Sequence, residues 1–136
     1  MTTLGHHSAL IYVMLAVSSS DGVTSERELK TIGHIVKTLP IFRAFEGHCL
    51  AAVTQDCAAL LKEPGGVQAV LSQVRAALPP SLRETAYWLA LEVALSDARV
   101  MLEEIHLAET LRRALGLDRL TAAALERAAR ARYQVA

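Results

Sequence analysis

One stretch of this chain occurs twice, and the repeat limits the folds that the chain can adopt. Residues 20–29 read SDGVTSEREL, and residues 96–105, which lie 76 positions later, read SDARVMLEEI. The positions that agree are Ser20 with Ser96, Asp21 with Asp97, Glu28 with Glu104, Leu29 with Ile105, and upstream Leu15 with Leu91 and Val17 with Val93. Each copy combines an apolar helix pattern, an Asp-led turn and a second helix pattern. We therefore expect two pseudo-symmetric helix-turn-helix halves.

The composition also favours an all-α fold. The chain has 136 residues, of which 52% are apolar and only 4% aromatic, and it shows no segment with the alternating pattern of a strand. This length suits one domain, so we predict a single helical domain over residues 1–136. The formal net charge is zero. A balanced charge gives no electrostatic reason to expect nucleic acid or an acidic membrane as the principal partner.

Helical periodicity predicts a compact bundle of about seven helices. The inward positions are expected to be Leu10, Val13, Met14 and Val17 in the first helix, Leu29, Ile32, Val36 and Leu39 in the second, and Leu120, Ala124, Leu125 and Ala128 in the last. Pro40 should end the second helix. Ser-x-x-Glu patterns at 25–28 and 81–84 predict capping boxes where two of the helices begin.

The two cysteines fall in a predicted third helix over residues 41–62. Cys49 and Cys57 are eight residues apart, about 12 Å along a helix axis, so they cannot pair with each other there. We interpret them as reduced thiols that fill space in a cytoplasmic protein. Glu46 and His48 lie near Cys49 and offer ligand atoms, but neighbouring residues of an α-helix point in different directions, so we do not expect a site there.

No targeting or membrane-spanning segment is evident. The first apolar run, residues 8–17, has no Lys or Arg before it and is too short and too interrupted for a membrane span. We therefore expect a cytoplasmic location.

Several weak motifs together resemble the tellurite-resistance protein TerB family. They are Ser20-Asp21-Gly22 with Glu28-Leu29, then Leu82-Arg83-Glu84 leading to Ser96-Asp97 with Glu104, then Leu115-Gly116-Leu117. The resemblance spans nearly the whole chain, and it depends on the order and spacing of these pieces. It implies a helical bundle with pseudo-symmetric halves and an acidic cluster that binds a divalent metal. It also implies a role in bacterial stress responses through partner proteins.

The repeated carboxylates agree with such a metal site. If the two halves are related by pseudo-symmetry, Asp21, Glu28, Asp97 and Glu104 can meet in one place. Four carboxylates in close proximity repel one another unless protons, basic groups or a hard cation such as Ca²⁺, Mg²⁺ or Mn²⁺ compensate. The ligand ladder of an EF-hand is absent, so the site would not be of that type.

Three of these four acidic residues also have an ordinary explanation. Glu28 completes a capping box, and Asp21 before a glycine is a common turn residue. In the second copy Met101 offers no capping oxygen, yet the separation between Asp97 and Glu104 is retained, which favours a shared function. Arg99, however, can neutralise Asp97 as an ion pair.

Three functions are compatible with this sequence. The first is a non-enzymatic, TerB-like stress-response domain that binds a divalent cation through the acidic cluster and acts through a protein partner. That partner can be membrane-associated, and the domain itself can form a homo-oligomer. The second is a purely structural protein-interaction domain without a metal site. The third, a metal-dependent hydrolase or oxidase, needs catalytic groups that no motif supplies. We expect the first.

Overall fold

The computed structural model describes residues 4–18, 26–96 and 102–136, and for residues 102–107 it describes the helix but not the side chains. Within these residues the chain forms seven α-helices and contains no strand, so the all-α prediction is confirmed. The helices are α1 (His6–Ser18), α2 (Glu26–Thr38), α3 (Leu50–Leu61), α4 (Gly66–Ala77), α5 (Arg83–Leu95), α6 (Leu102–Leu115) and α7 (Arg119–Arg132). None of the described helices is long and apolar enough to cross a bilayer.

The repeat in the sequence appears again in the helix bounds. Helix α5 begins and ends 77 residues after α1, and α6 begins 76 residues after α2. In each copy an apolar helix is followed, after a short connection, by a more polar helix. The bounds of the described helices therefore agree with the two halves inferred from the repeat.

Helix α1 is the centre of the core. Every residue from Ala9 to Ser18 is buried, because α1 contacts α3, α4 and α5 on different sides. The sequence pattern predicted burial of one face only. An apolar helix that is covered all round carries no amphipathic signal, so its other faces could not be assigned from periodicity.

Two helices are rotated relative to the predicted inward stripes. In α2, Leu29 is 44% exposed, and the buried face is formed by Glu28, Ile32, Ile35 and Val36. In α7, Leu120 is 83% exposed, and the buried residues are Ala122 and Ala129. Small side chains let α7 pack closely against α5, and the larger apolar Leu120 is left in solvent. The predicted inward positions Leu29, Leu120, Ala124 and Ala128 were therefore wrong.

The predicted third helix begins later than expected. Residues before Leu50 form two 3₁₀ turns, Pro40–Phe42 and Gly47–Cys49, instead of an α-helix. Phe42 is buried and packs edge-on against Phe45, which holds the connection against the core. His7 of α1 adds to this contact through Phe45 and a 2.7 Å hydrogen bond between its Nε2 and the Ile41 carbonyl oxygen.

The predicted capping boxes have different outcomes. At the start of α5, Pro80–Leu82 forms a 3₁₀ turn and Leu82 occupies the cap position without a side-chain hydrogen bond, so the box at 81–84 is absent. Ser25 lies outside the described residues. A side-chain cap is found instead at α7, where the Asp118 carboxylate accepts a 2.7 Å hydrogen bond from the Thr121 amide.

Candidate functional site

The four predicted metal ligands differ in what the structure describes of them. Glu28 is 4% exposed and lies in the first turn of α2. Glu104 belongs to α6, but its side chain lies outside the described part, as do Asp21 and Asp97 entirely. The meeting of the four carboxylates therefore stays a prediction, with one member in a buried position.

The start of α2 and the end of α5 lie close together. Arg27 from α2 and Ser96, which follows α5, line the same cavity. Ser96 closes α5 through a 2.7 Å hydrogen bond from its hydroxyl to the Val93 carbonyl oxygen. The helix that begins after the first Asp-led segment is thus next to the helix that ends before the second one. This proximity is the geometry that a site shared between the two copies requires.

The cavity next to these helix ends is rich in basic groups. Lys30 and His34 line it together with Arg27 from α2, and Arg132 and Tyr133 close it from the end of α7. These basic side chains therefore lie at the end of α2 whose first turn holds Glu28.

Glu92 connects α5 to the end of α7 at this cavity. Its buried carboxylate accepts a 2.5 Å hydrogen bond from Arg132 Nε and a 3.3 Å hydrogen bond from the Tyr133 hydroxyl. The hydrogen bond to Glu92 raises the pKa of Arg132, and burial together with the Glu92 charge raises the pKa of Tyr133. Glu92, Arg132 and Tyr133 therefore act as a structural clamp that holds the end of α7 against α5.

A second polar cavity lies between α5, α6 and α7. The Tyr87 hydroxyl donates a 2.7 Å hydrogen bond to Glu126, and Arg112 and Glu109 line the same space. Burial is the main cause that raises the pKa of Tyr87, and the hydrogen bond to Glu126 is the second. A phenol that stays protonated holds α7 in place but is unsuited to act as a general base near neutral pH.

The structure also brings together three residues that sequence reasoning set aside. Atoms of Glu46, His48 and Cys49 that can ligate a metal all lie within 4.8 Å of one another. His48 Nε2 is 3.3 Å from a carboxylate oxygen of Glu46. The expectation that these side chains diverge was wrong, because the segment is not an α-helix. Glu46 is extended and precedes the 3₁₀ turn Gly47–Cys49, and with about three residues per turn Glu46 and Cys49 fall on one side.

The other cysteine has a different environment. Cys57 is fully buried in α3, and burial raises the pKa of its thiol to about 12. It is therefore a protonated thiol that fills space in the core, as predicted, whereas Cys49 is only half-buried. Neither cysteine forms a disulfide.

The fold and these sites define a class of protein: a small all-α domain in which an apolar helix followed by a more polar helix occurs twice, with a buried carboxylate in the first turn of α2 and polar contacts that secure its last helix. The sequence profile of the family described as tellurite resistance protein TerB matches residues 7–128, which is nearly the whole chain. The chain belongs to this family, as the resemblance predicted. No curated protein and no solved structure matches it.

Sequence reasoning found the candidate acidic cluster through the repeat but missed the group at Glu46, His48 and Cys49. The available signal was Pro40, followed by Gly47, in a region with poor helix propensity. Both residues favour a break in the helix, and a tight turn changes which side chains meet.

Proposed function

We propose that this TerB-family chain is a single-domain, non-enzymatic stress-response protein that binds a divalent cation where its two halves meet. The proposed ligands are Asp21, Glu28, Asp97 and Glu104, and the cation is a hard ion such as Ca²⁺, Mg²⁺ or Mn²⁺. The observation that carries the proposal is the buried carboxyl of Glu28 at the start of α2, next to the end of α5.

The chemistry of this position supports a cation. A carboxylate taken out of water loses solvation, and a metal ion or another positive group must compensate for it. Oxygen ligands select hard cations over thiophilic ones. The family to which the chain belongs bears the name of tellurite resistance, which supports a stress-response role in a bacterium.

We further propose that the domain acts through a protein partner in the cytoplasm. The two free cysteines fit a reducing compartment. Leu29 supports a docking role because it presents an apolar side chain, 44% exposed, directly beside Glu28. Cation binding at Glu28 would then influence the surface that a partner contacts. A purely structural interaction domain without a metal is the alternative, in which basic side chains compensate the buried carboxyl of Glu28.

Calorimetric titration of chelator-stripped protein with Ca²⁺, Mg²⁺ and Mn²⁺ tests the cation site. We expect saturable binding that is lost in Asp21→Asn, Glu28→Gln, Asp97→Asn and Glu104→Gln. A cation at about 100 times its dissociation constant should stabilise the fold by about 2.7 kcal/mol. Glu26→Gln is the matched control, because Glu26 is an exposed carboxylate in the same first turn of α2 and its variant should bind as the wild type does.

Binding that survives in all four variants would refute the shared site. Absence of both heat and thermal stabilisation with every cation, in folded protein, would favour the metal-free alternative.

Copurification tests the protein partner. The amount of partner recovered is compared between wild type and Leu29→Ser, each purified with and without chelator from the cells that produce it. We expect both chelator and the substitution to reduce recovery of the partner, and equal recovery in all samples would contradict a cation-dependent partner.

A further inference from the structure

We propose that Glu46, His48 and Cys49 form a second metal site, which takes a borderline-soft ion of the Zn²⁺ class. The site lies in the connection between α2 and α3 and uses no ligand of the proposed acidic cluster. A carboxylate, an imidazole and a thiolate are three established zinc ligands, and the sulfur and nitrogen select Zn²⁺-class ions over Ca²⁺ or Mg²⁺.

The three residues belong to one short turn, and their ligand atoms already lie within 4.8 Å of one another. Glu46 is extended and precedes the 3₁₀ turn Gly47–Cys49, and the Cys49 amide donates a 3.0 Å hydrogen bond to the Glu46 carbonyl oxygen. Phe45, immediately before Glu46, packs against Phe42 in the core. The turn is therefore fixed at its entry by aromatic packing and at its exit by the start of α3.

The distances suit a metal after small side-chain rotations. Bond lengths of about 2.0–2.3 Å in a tetrahedral zinc site place the ligand atoms roughly 3.3–3.7 Å from one another. The His48 nitrogen and the Glu46 oxygen are already 3.3 Å apart, and the whole group falls within 4.8 Å. The side chains of Glu46 and His48 are 72% and 77% exposed, so they can rotate by the remaining distance without disturbing the core.

Three ligands leave one tetrahedral position for water or for an exogenous ligand, as in open zinc sites. The alternative is an exposed ion pair between Glu46 and His48, which contributes little to stability and needs no cysteine. The thiol of Cys49 distinguishes the metal site from the ion pair, because only the metal site uses it. Cys57 cannot supply it, because it is buried and its high pKa keeps it protonated.

Co²⁺ titration of the full chain tests the site with a spectroscopic probe that reports a sulfur ligand. Chelator-stripped protein, reduced with a phosphine, should develop a thiolate-to-cobalt charge-transfer band that saturates and that Zn²⁺ removes by competition. The band should disappear in Cys49→Ser and persist in the control Cys57→Ala. His48→Ala and Glu46→Gln should each lower the affinity about tenfold or more, since loss of even an outer-shell partner has effects of that size.

Absence of the band in wild-type protein, or its persistence in Cys49→Ser, overturns the proposal. An affinity that is unchanged in either His48→Ala or Glu46→Gln also overturns the three-ligand site. Circular dichroism checks that each variant is folded. Asp21→Asn should leave the cobalt band unchanged, and Cys49→Ser should leave the calorimetric Ca²⁺ response unchanged, so failure of this site is distinguishable from failure of the acidic one.

Discussion

Gly66 lies where α4 begins, in direct contact with the end of α3. A Cβ atom at this position would be 2.3 Å from the Leu60 carbonyl oxygen and 2.9 Å from two backbone atoms of Leu61. Real Cβ contacts are essentially never closer than 3.0 Å, so the closest contact must open by about 0.7 Å. The opposing atoms are backbone, and a side-chain rotation cannot relieve the clash. Gly66→Ala must therefore displace α3 relative to α4.

Overpacking of this kind costs typically 1–3 kcal/mol, and we expect the upper end because backbone must move. The gain of about 0.5–1 kcal/mol from alanine in a helix offsets part of the cost. The net loss of stability should be about 2–2.5 kcal/mol. For a chain of this size, with roughly 4 °C per kcal/mol, the midpoint of thermal unfolding should fall by about 8–10 °C.

Thermal and urea unfolding followed by circular dichroism measures this effect. Gly33→Ala is the matched control, since Gly33 lies within α2 and a Cβ there meets nothing within 4 Å. Without a clash, the higher helix propensity of alanine should stabilise this variant by up to about 1 kcal/mol. If Gly66→Ala unfolds at the wild-type temperature, or is stabilised as much as Gly33→Ala, the inferred close approach of α3 and α4 is wrong.

Two further predictions concern α7. Glu92→Gln keeps the shape of the side chain but removes its charge, so the hydrogen bonds from Arg132 and Tyr133 weaken. We expect a loss of about 1 kcal/mol, limited because Arg132 is 58% exposed, and faster amide hydrogen exchange at the end of α7; unchanged exchange would contradict the clamp. The hydrogen bonds from Thr121 lower the pKa of Asp118 below its usual 3.8, so its capping contribution is complete above pH 3.8 and is lost as the pH falls through the lowered value. Acid unfolding monitored for wild type and Asp118→Asn should show this dependence in the wild type only, and parallel acid transitions would argue against it.

The candidate sites show why sequence reasoning succeeded in part. The spacing of Asp21 and Glu28 was recognisable because it recurs at Asp97 and Glu104, and a repeat is visible without coordinates. The burial of Glu28 was not predicted, since a capping residue normally faces solvent. Its position follows from the rotation of α2, which places Glu28 on the face that carries Ile32 and leaves Leu29 outside. Helical periodicity gives the width of an apolar stripe, but packing against other helices decides which stripe is buried.

The sequence by itself determined the helical class, the two related halves, the end of the second helix before Pro40, and the family. These properties depend on composition, spacing and local backbone preferences, which are present in the chain before it folds. Only the tertiary structure decided that α1 is covered on all sides, that α7 packs through alanines, that Gly66 admits no side chain, and that Glu46, His48 and Cys49 meet. The first three properties depend on which surfaces come into contact, and the last depends on a turn conformation that packing selects. A local sequence pattern specifies neither the contacts nor the turn.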